Sequence, residues 1–169
     1  DAQHVTMDSG NRLFRHLAAS QWTNSLLTDI AQWEDGPTTL ATYVGHGVGL
    51  YERHGGGGYY LSSPSLLREA GSDVIDPSLQ QDLGARTTFP PIVLEGRLIE
   101  RGALRPDVAR DPGRLDLGFH YAPVDYAVGD ARVADGFALS VAAGSRVGVW
   151  GRRGLAIGDE ASVTFVGVA

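Results

Sequence analysis

The clearest hydrophobic–polar pattern lies in the C-terminal stretch from Ala131 to Ala169. Short β-prone runs fall at Ala138–Val141, Arg146–Trp150, Leu155–Ile157 and Ser162–Val166, each set off by Gly, Asp or Ala-Gly turns. Apolar residues alternate within them, as Val147/Val149, Leu155/Ile157 and Val163/Phe165 do. The runs recur every seven to nine residues. Hairpins would produce similar spacing, but the turns between these runs lack the Asn-Gly or Asp-Gly pairs that favour tight primed turns. A coil of about three short strands stacked on the next coil predicts the same spacing with parallel ladders.

The middle of the chain carries local signals of other kinds. Asp76 followed by Pro77 reads as an N-cap and first helical position, predicting a short helix through Leu83 closed by Gly84. Thr87–Pro91 is expected to be extended, because a residue before Pro avoids the α region. Ile92–Leu94 reads as a buried strand. Arg114–Tyr121 alternates, with Leu115, Leu117, Phe119 and Tyr121 on one face and Asp116, Gly118 and His120 on the other.

The first sixty residues are less regular. Leu13, Leu17 and Ala18 fit a helical period with Asn11 as cap. The preferred reading is two further coils, with Asn24 at a corner where its side chain satisfies backbone groups. Residues 33–58 are then expected to form a long glycine-rich excursion.

Two stretches resemble known proteins. Leu139, Val141, Gly144, Ser145 and Val147, followed by Gly154, Leu155, Ile157 and Gly158, resemble coil phrases of bacterial parallel β-helix proteins. Ser63–Gly71, Thr87–Pro91 and Asp116–Tyr126 resemble recurring segments of very large repetitive right-handed parallel β-helix proteins of the bacterial cell surface, autotransporter- or adhesin-like. The chain departs from that pattern at Phe119, where Tyr is usual, and at Ala122, where Asp is usual; the second removes a possible acidic ligand. The resemblance implies an all-β, right-handed parallel β-helix (solenoid) segment with long loops and one or two short helices. It implies one domain over 1–169: coils plus excursion to 58, motif-bearing loops and strands over 59–126, and regular coils over 127–169. It implies fold and context, not an activity.

Composition narrows the chemistry. The chain is long enough to bury a core, and its 43% hydrophobic content is too high for disorder. All 14 basic residues are arginine, which excludes Walker-type phosphate loops and Schiff-base chemistry. The net charge of −6 disfavours nucleic acid. With no Cys there is no disulfide, thiolate nucleophile or Cys-based zinc site, which is compatible with an extracellular protein. No apolar run approaches the roughly 18 residues of a membrane span, so membrane insertion is not expected. The chain begins at Asp1 without Met, which fits removal of a leader or a preceding domain.

Gly45–Gly58 is glycine-rich but lacks the spacing, helix and Lys of a phosphate cradle, and reads as a turn-rich loop. His46 and His54 are eight apart with no third ligand, so no metal is expected. Asp116 and His120, four apart on a strand, would lie roughly 13 Å from one another and could not hydrogen-bond, leaving His120 a surface or stacking residue. Asp125 and Tyr126 follow Pro123 and read as a turn, with Asp125 capping its own backbone. Glu34-Asp35 and Asp159-Glu160 point apart and make no glycosidase pair. Trp22, Trp33, Trp150 and the tyrosines could stack on sugars or fill a core.

Trp33, His46, His54, His120, Asp125 and Tyr126 are therefore candidates for a ligand or partner surface, with no catalytic set and no cofactor. The first functional expectation is an extracellular scaffold or adhesin segment. Its partners would be further segments of the same protein, or other subunits, at open coil ends. The alternative is a carbohydrate-active β-helix module that binds or cleaves polysaccharide.

Overall fold

The computed structural model describes residues 1–12, 20–32, 38–99 and 102–167. Leu13, Leu17, Ala18, Trp33 and Glu34-Asp35 fall outside them. The described residues are strand-rich with one short helix, and they divide into two compact units. The first comprises Asp1–Glu52, Tyr59–Phe89 and Arg110–Ala122; the second comprises Arg53–Gly58, Pro90–Ala109 and Pro123–Ala169.

In the first unit the strands come in pairs: β1 (Ala2–Gln3) and β2 (Thr6–Asp8), β3 (Gln21–Thr23) and β4 (Leu26–Thr28), β5 (Thr38–Leu40) and β6 (Tyr43–Gly45). Every second strand joins one parallel sheet, in the orders β1-β3-β5 and β2-β4-β6. Each pair thus forms a rung stacked in register on the next. Residues 38–45 are a third rung, so the excursion expected over 33–58 is interrupted by paired strands. β7 (Tyr51–His54) and β8 (Gly57–Leu61) form a two-stranded sheet, of which Arg53–Gly58 are assigned to the second unit.

The corners explain why so few residues suffice per rung. His4, Asn24 and Ala41 follow β1, β3 and β5, and all three are left-handed, with φ of 50°, 51° and 44°. Each bend turns the chain from one sheet to the other. Ser25 and Thr42 come next, and their hydroxyls donate to the carbonyls of Thr23 and Leu40 (2.9 and 3.1 Å). The same oxygens accept from the preceding rung, Val5 N–H to Ser25 and Ser25 N–H to Thr42 (3.2 and 3.3 Å). Corner groups that a strand ladder would leave unpaired are satisfied in this way. Asn24 sits at the corner as its sequence context predicts.

β4 is buried on both faces. Leu26 joins Leu61, Leu67 and Leu117, while Leu27 packs with Trp22 under Ala2, Val5, Met7 and Ile30. A strand covered on both sides reads as a continuous apolar run rather than an alternation.

The helix α1 (Pro77–Gly84) begins as predicted. Asp76 caps it by accepting from the Ser78 and Leu79 amides, Pro77 opens it, and Ala85 is the C-cap.

The second unit repeats the parallel scheme with longer strands: β9 (Ile92–Leu98), β10 (Gly102–Leu104), β11 (Tyr126–Val133), β12 (Ala138–Val141), β13 (Val147–Ile157) and β14 (Ser162–Phe165). Their sheet orders are β9-β11-β13 and β10-β12-β14. The two runs read separately at 146–150 and 155–157 are one strand, with Gly151–Gly154 forming a bulge inside it. Trp150 lies flat over Gly129, where any Cβ would collide with its indole. Ile92 is exposed at 44%, so the start of β9 is an edge rather than the buried strand expected. Tyr126 opens β11 in the core instead of a turn.

Arg114–Tyr121 is not a strand. Leu115, Leu117, Asp116 and His120 are all buried, and only Phe119 of the expected apolar face is exposed. The segment threads between other parts of its unit. Leu117 N–H donates to Leu67 O and Gly118 N–H to Asn24 O (3.0 and 2.8 Å). Gly118 has φ 89°, and a Cβ there would sit 2.7 Å from Leu26 and Thr6 atoms, so only glycine fits.

Candidate functional site

Four segments of the first unit converge on a buried polar cluster. Asp116 is 2% exposed. Its Oδ1 accepts from the Glu69 amide (2.7 Å), and its Oδ2 accepts from Arg68 Nη1 (3.1 Å) and from the Thr88 hydroxyl. Arg68 also donates to Thr88 Oγ1 and Leu61 O (2.7 and 2.8 Å), and its guanidinium lies 3.5 Å above the Phe89 ring centroid. Burial pulls the Arg68 guanidinium below its ordinary value, and the Asp116 charge opposes that shift.

The Asp116 amide leads to the second half, donating to Asp111 Oδ2 (2.7 Å). That oxygen also receives His120 Nε2 (2.8 Å), while His120 Nδ1 meets Gly118 O (3.0 Å). Both ring nitrogens of His120 face acceptors. The His4 ring stands edge-on to His120, with centroids 5.2 Å apart. His120 is thus a fully buried stacking residue, not a surface one; its acidic partner is Asp111 rather than Asp116.

Asn24 fixes the remaining ring. Its Oδ1 accepts from Ser72 N–H (2.6 Å) and its Nδ2 donates to Ser72 O (2.8 Å), which sets the orientation of the amide. Nδ2 also meets His4 Nε2 (2.9 Å), which must then be the acceptor. His4 is accordingly neutral with its proton on buried Nδ1, which makes no hydrogen bond of good geometry, and the Gly118 backbone is the smallest of the influences on the ring. Burial first, and then the charge of His120, lowers His4 from 6.5 to about 4.

The second unit has its own buried carboxylate. Asp125 is 0% exposed; Oδ1 accepts from the Asp107 and Val108 amides (2.9 and 3.0 Å) and Oδ2 from the Arg146 amide (2.7 Å). It caps three distant backbone groups rather than its own. Tyr126, beside it, receives the Arg105 amide on its hydroxyl (3.3 Å).

The other candidates stand apart. His46 is exposed and pairs with Asp29 (2.9 Å), whose carboxyl is held below its usual range by the Gly47 amide and then by His46. His54 ends β7, in the other unit. Among the described residues no three His, Asp or Glu side chains could hold a metal ion. No described helix is long and apolar enough to cross a membrane.

Sequence reasoning missed His4, Arg68, Thr88 and Asp111. Arg68 is 48 residues from Asp116, and Asp111 is separated from His120 by the Pro112-Gly113 turn, so no local spacing marks either pair. No protein-family model, curated protein or solved structure matches the chain.

Proposed function

We propose that the chain is a non-catalytic structural module, built on right-handed parallel β-helix coils, that serves outside the cell as a scaffold or adhesive segment and assembles by stacking on an uncovered rung. The observation that carries this reading is the way apolar columns run off the end of the second unit. Val128, Val133 and Val141 on the β11/β12 rung are 1%, 1% and 7% exposed. Their register partners on the β13/β14 rung, Val149, Ile157 and Phe165, are 64%, 55% and 71% exposed. The same column positions, filled with apolar residues but uncovered, offer a further rung both apolar contact and a free strand edge.

The buried carboxylates support the same reading. Asp116, Asp111 and Asp125 spend their hydrogen bonds on the chain itself, out of reach of a dissolved substrate. Such groups specify a backbone path. The resemblance of 63–71, 87–91 and 116–126 to large repetitive surface proteins supports the extracellular setting.

Sedimentation velocity over a range of concentrations tests the proposal. The wild-type chain should associate as concentration rises, and Val149→Lys with Phe165→Lys should abolish this, since inward-facing charge on an edge blocks pairing. A wild-type chain that stays monomeric at millimolar concentration overturns the reading.

A further inference from the structure

We propose that the first rung, β1 and β2, is an acid-released cap over β3 and β4, and that charging the His4 ring releases it. The proposal goes beyond stacking assembly and stands on the first unit alone. His4 occupies the corner of that rung. The rung is also held by ladders of two and three residue pairs, by backbone bonds that include His4 N–H to Thr23 O, Leu26 N–H to Val5 O and Ser9 N–H to Thr28 O (3.0, 2.8 and 3.1 Å), by the Val5 amide on Ser25 Oγ, the Thr28 hydroxyl on Asp8 and the Phe119 amide on Thr6 Oγ1 (3.2, 2.7 and 3.0 Å), and by the packing of Ala2, Val5 and Met7 on Trp22 and Leu27.

A second proton on His4 has no acceptor. It would go to Nε2, which faces the Asn24 amide nitrogen, and Ser72 prevents that amide from turning over. The new charge would also stand beside the His120 ring, whose centroid is 5.2 Å away and which opposes charging of His4. The titratable groups acting on His4 come from the 110–122 segment: His120 opposes its charge and Asp111 favours it. Asp111 is already engaged by His120 and the Asp116 amide. From β3 and β4 the corner presents Asn24, which is neutral. Opening the rung gives the ring water on both nitrogens, so protons drive the opening.

Amide hydrogen exchange, corrected for intrinsic rates, reads the event directly. The Leu26 amide bonds up to the first rung, whereas the Tyr43 amide bonds to Ser25 O and reports on the rest of the stack. Between pH 7 and pH 5, Leu26 protection should fall about 20-fold as the released ring takes up its proton, with Tyr43 better protected than Leu26 at both values. His4→Gln, which can accept from Asn24 but does not titrate, should leave Leu26 protection flat. Constant Leu26 protection in the wild type, an equal fall in His4→Gln, or Tyr43 protection no higher than that of Leu26 overturns the proposal. If His4→Gln does not fold, NMR of the labelled His4 ring in the wild type decides. Loss of Leu26 protection that follows ring titration supports the cap, and loss without a change in the ring signal overturns it.

Discussion

At the scale of single residues, the buried polar groups set the largest expected effects. Asp116→Ala would strand Arg68, Thr88 and the Glu69 amide in the interior. Denaturant unfolding should show a loss of about 3–5 kcal/mol, as for a buried ion pair broken from one side. Asp125→Asn keeps the shape but leaves only one acceptor oxygen, so either the Arg146 amide or the Asp107 and Val108 amides lose their partner. A cost of about 1–3 kcal/mol is expected by the same measurement. The sign of the His4 effect follows from its depressed folded-state value. Its full contribution is present above about pH 6.5 and is lost as pH falls toward about 4, because the unfolded chain binds the proton first. Denaturation at pH 7 and pH 5 should differ by about 2 kcal/mol more in the wild type than in His4→Gln.

At the scale of elements, what was legible in the sequence depended on whether the signal was local. Asp76 and Pro77 gave the start of α1, because capping needs only neighbouring groups. β12 fell at 138–141 because its alternation faces one core. Arg114–Tyr121 misled for a physical reason: its apolar and polar residues are both buried, so alternation there records two kinds of buried partner instead of two sides of a sheet. The third rung at 38–45 was hidden because Thr38, Thr39 and Leu40 are exposed and give no apolar period. The His4–His120–Asp111 cluster was illegible because His4 comes from one end of the chain and His120 and Asp111 from the distant 110–122 segment. Leu27→Ala should cost about 2–5 kcal/mol and be visible in equilibrium unfolding, since it opens a cavity beneath Trp22.

At the scale of the whole molecule, net charge governs how readily uncovered edges meet. The chain carries −6 at neutral pH and approaches neutrality near pH 5.2. Repulsion between copies fades over that interval. Light scattering should therefore rise from pH 7 toward pH 5, and Val149→Lys with Phe165→Lys should suppress the rise. One corner of the second unit has a different consequence. Between the same two register positions β9 places only Glu95, β11 places Gly129 and Asp130, and β13 places the five residues from Trp150 to Gly154. The strands regain identical pairing afterwards, Gly96 and Leu155 both opposite Ala131. Length at this corner is thus decoupled from everything that follows it, which makes the junction of Arg152 and Arg153 a natural graft point. A short foreign peptide spliced there should be displayed to solvent while the stack beneath keeps its melting temperature.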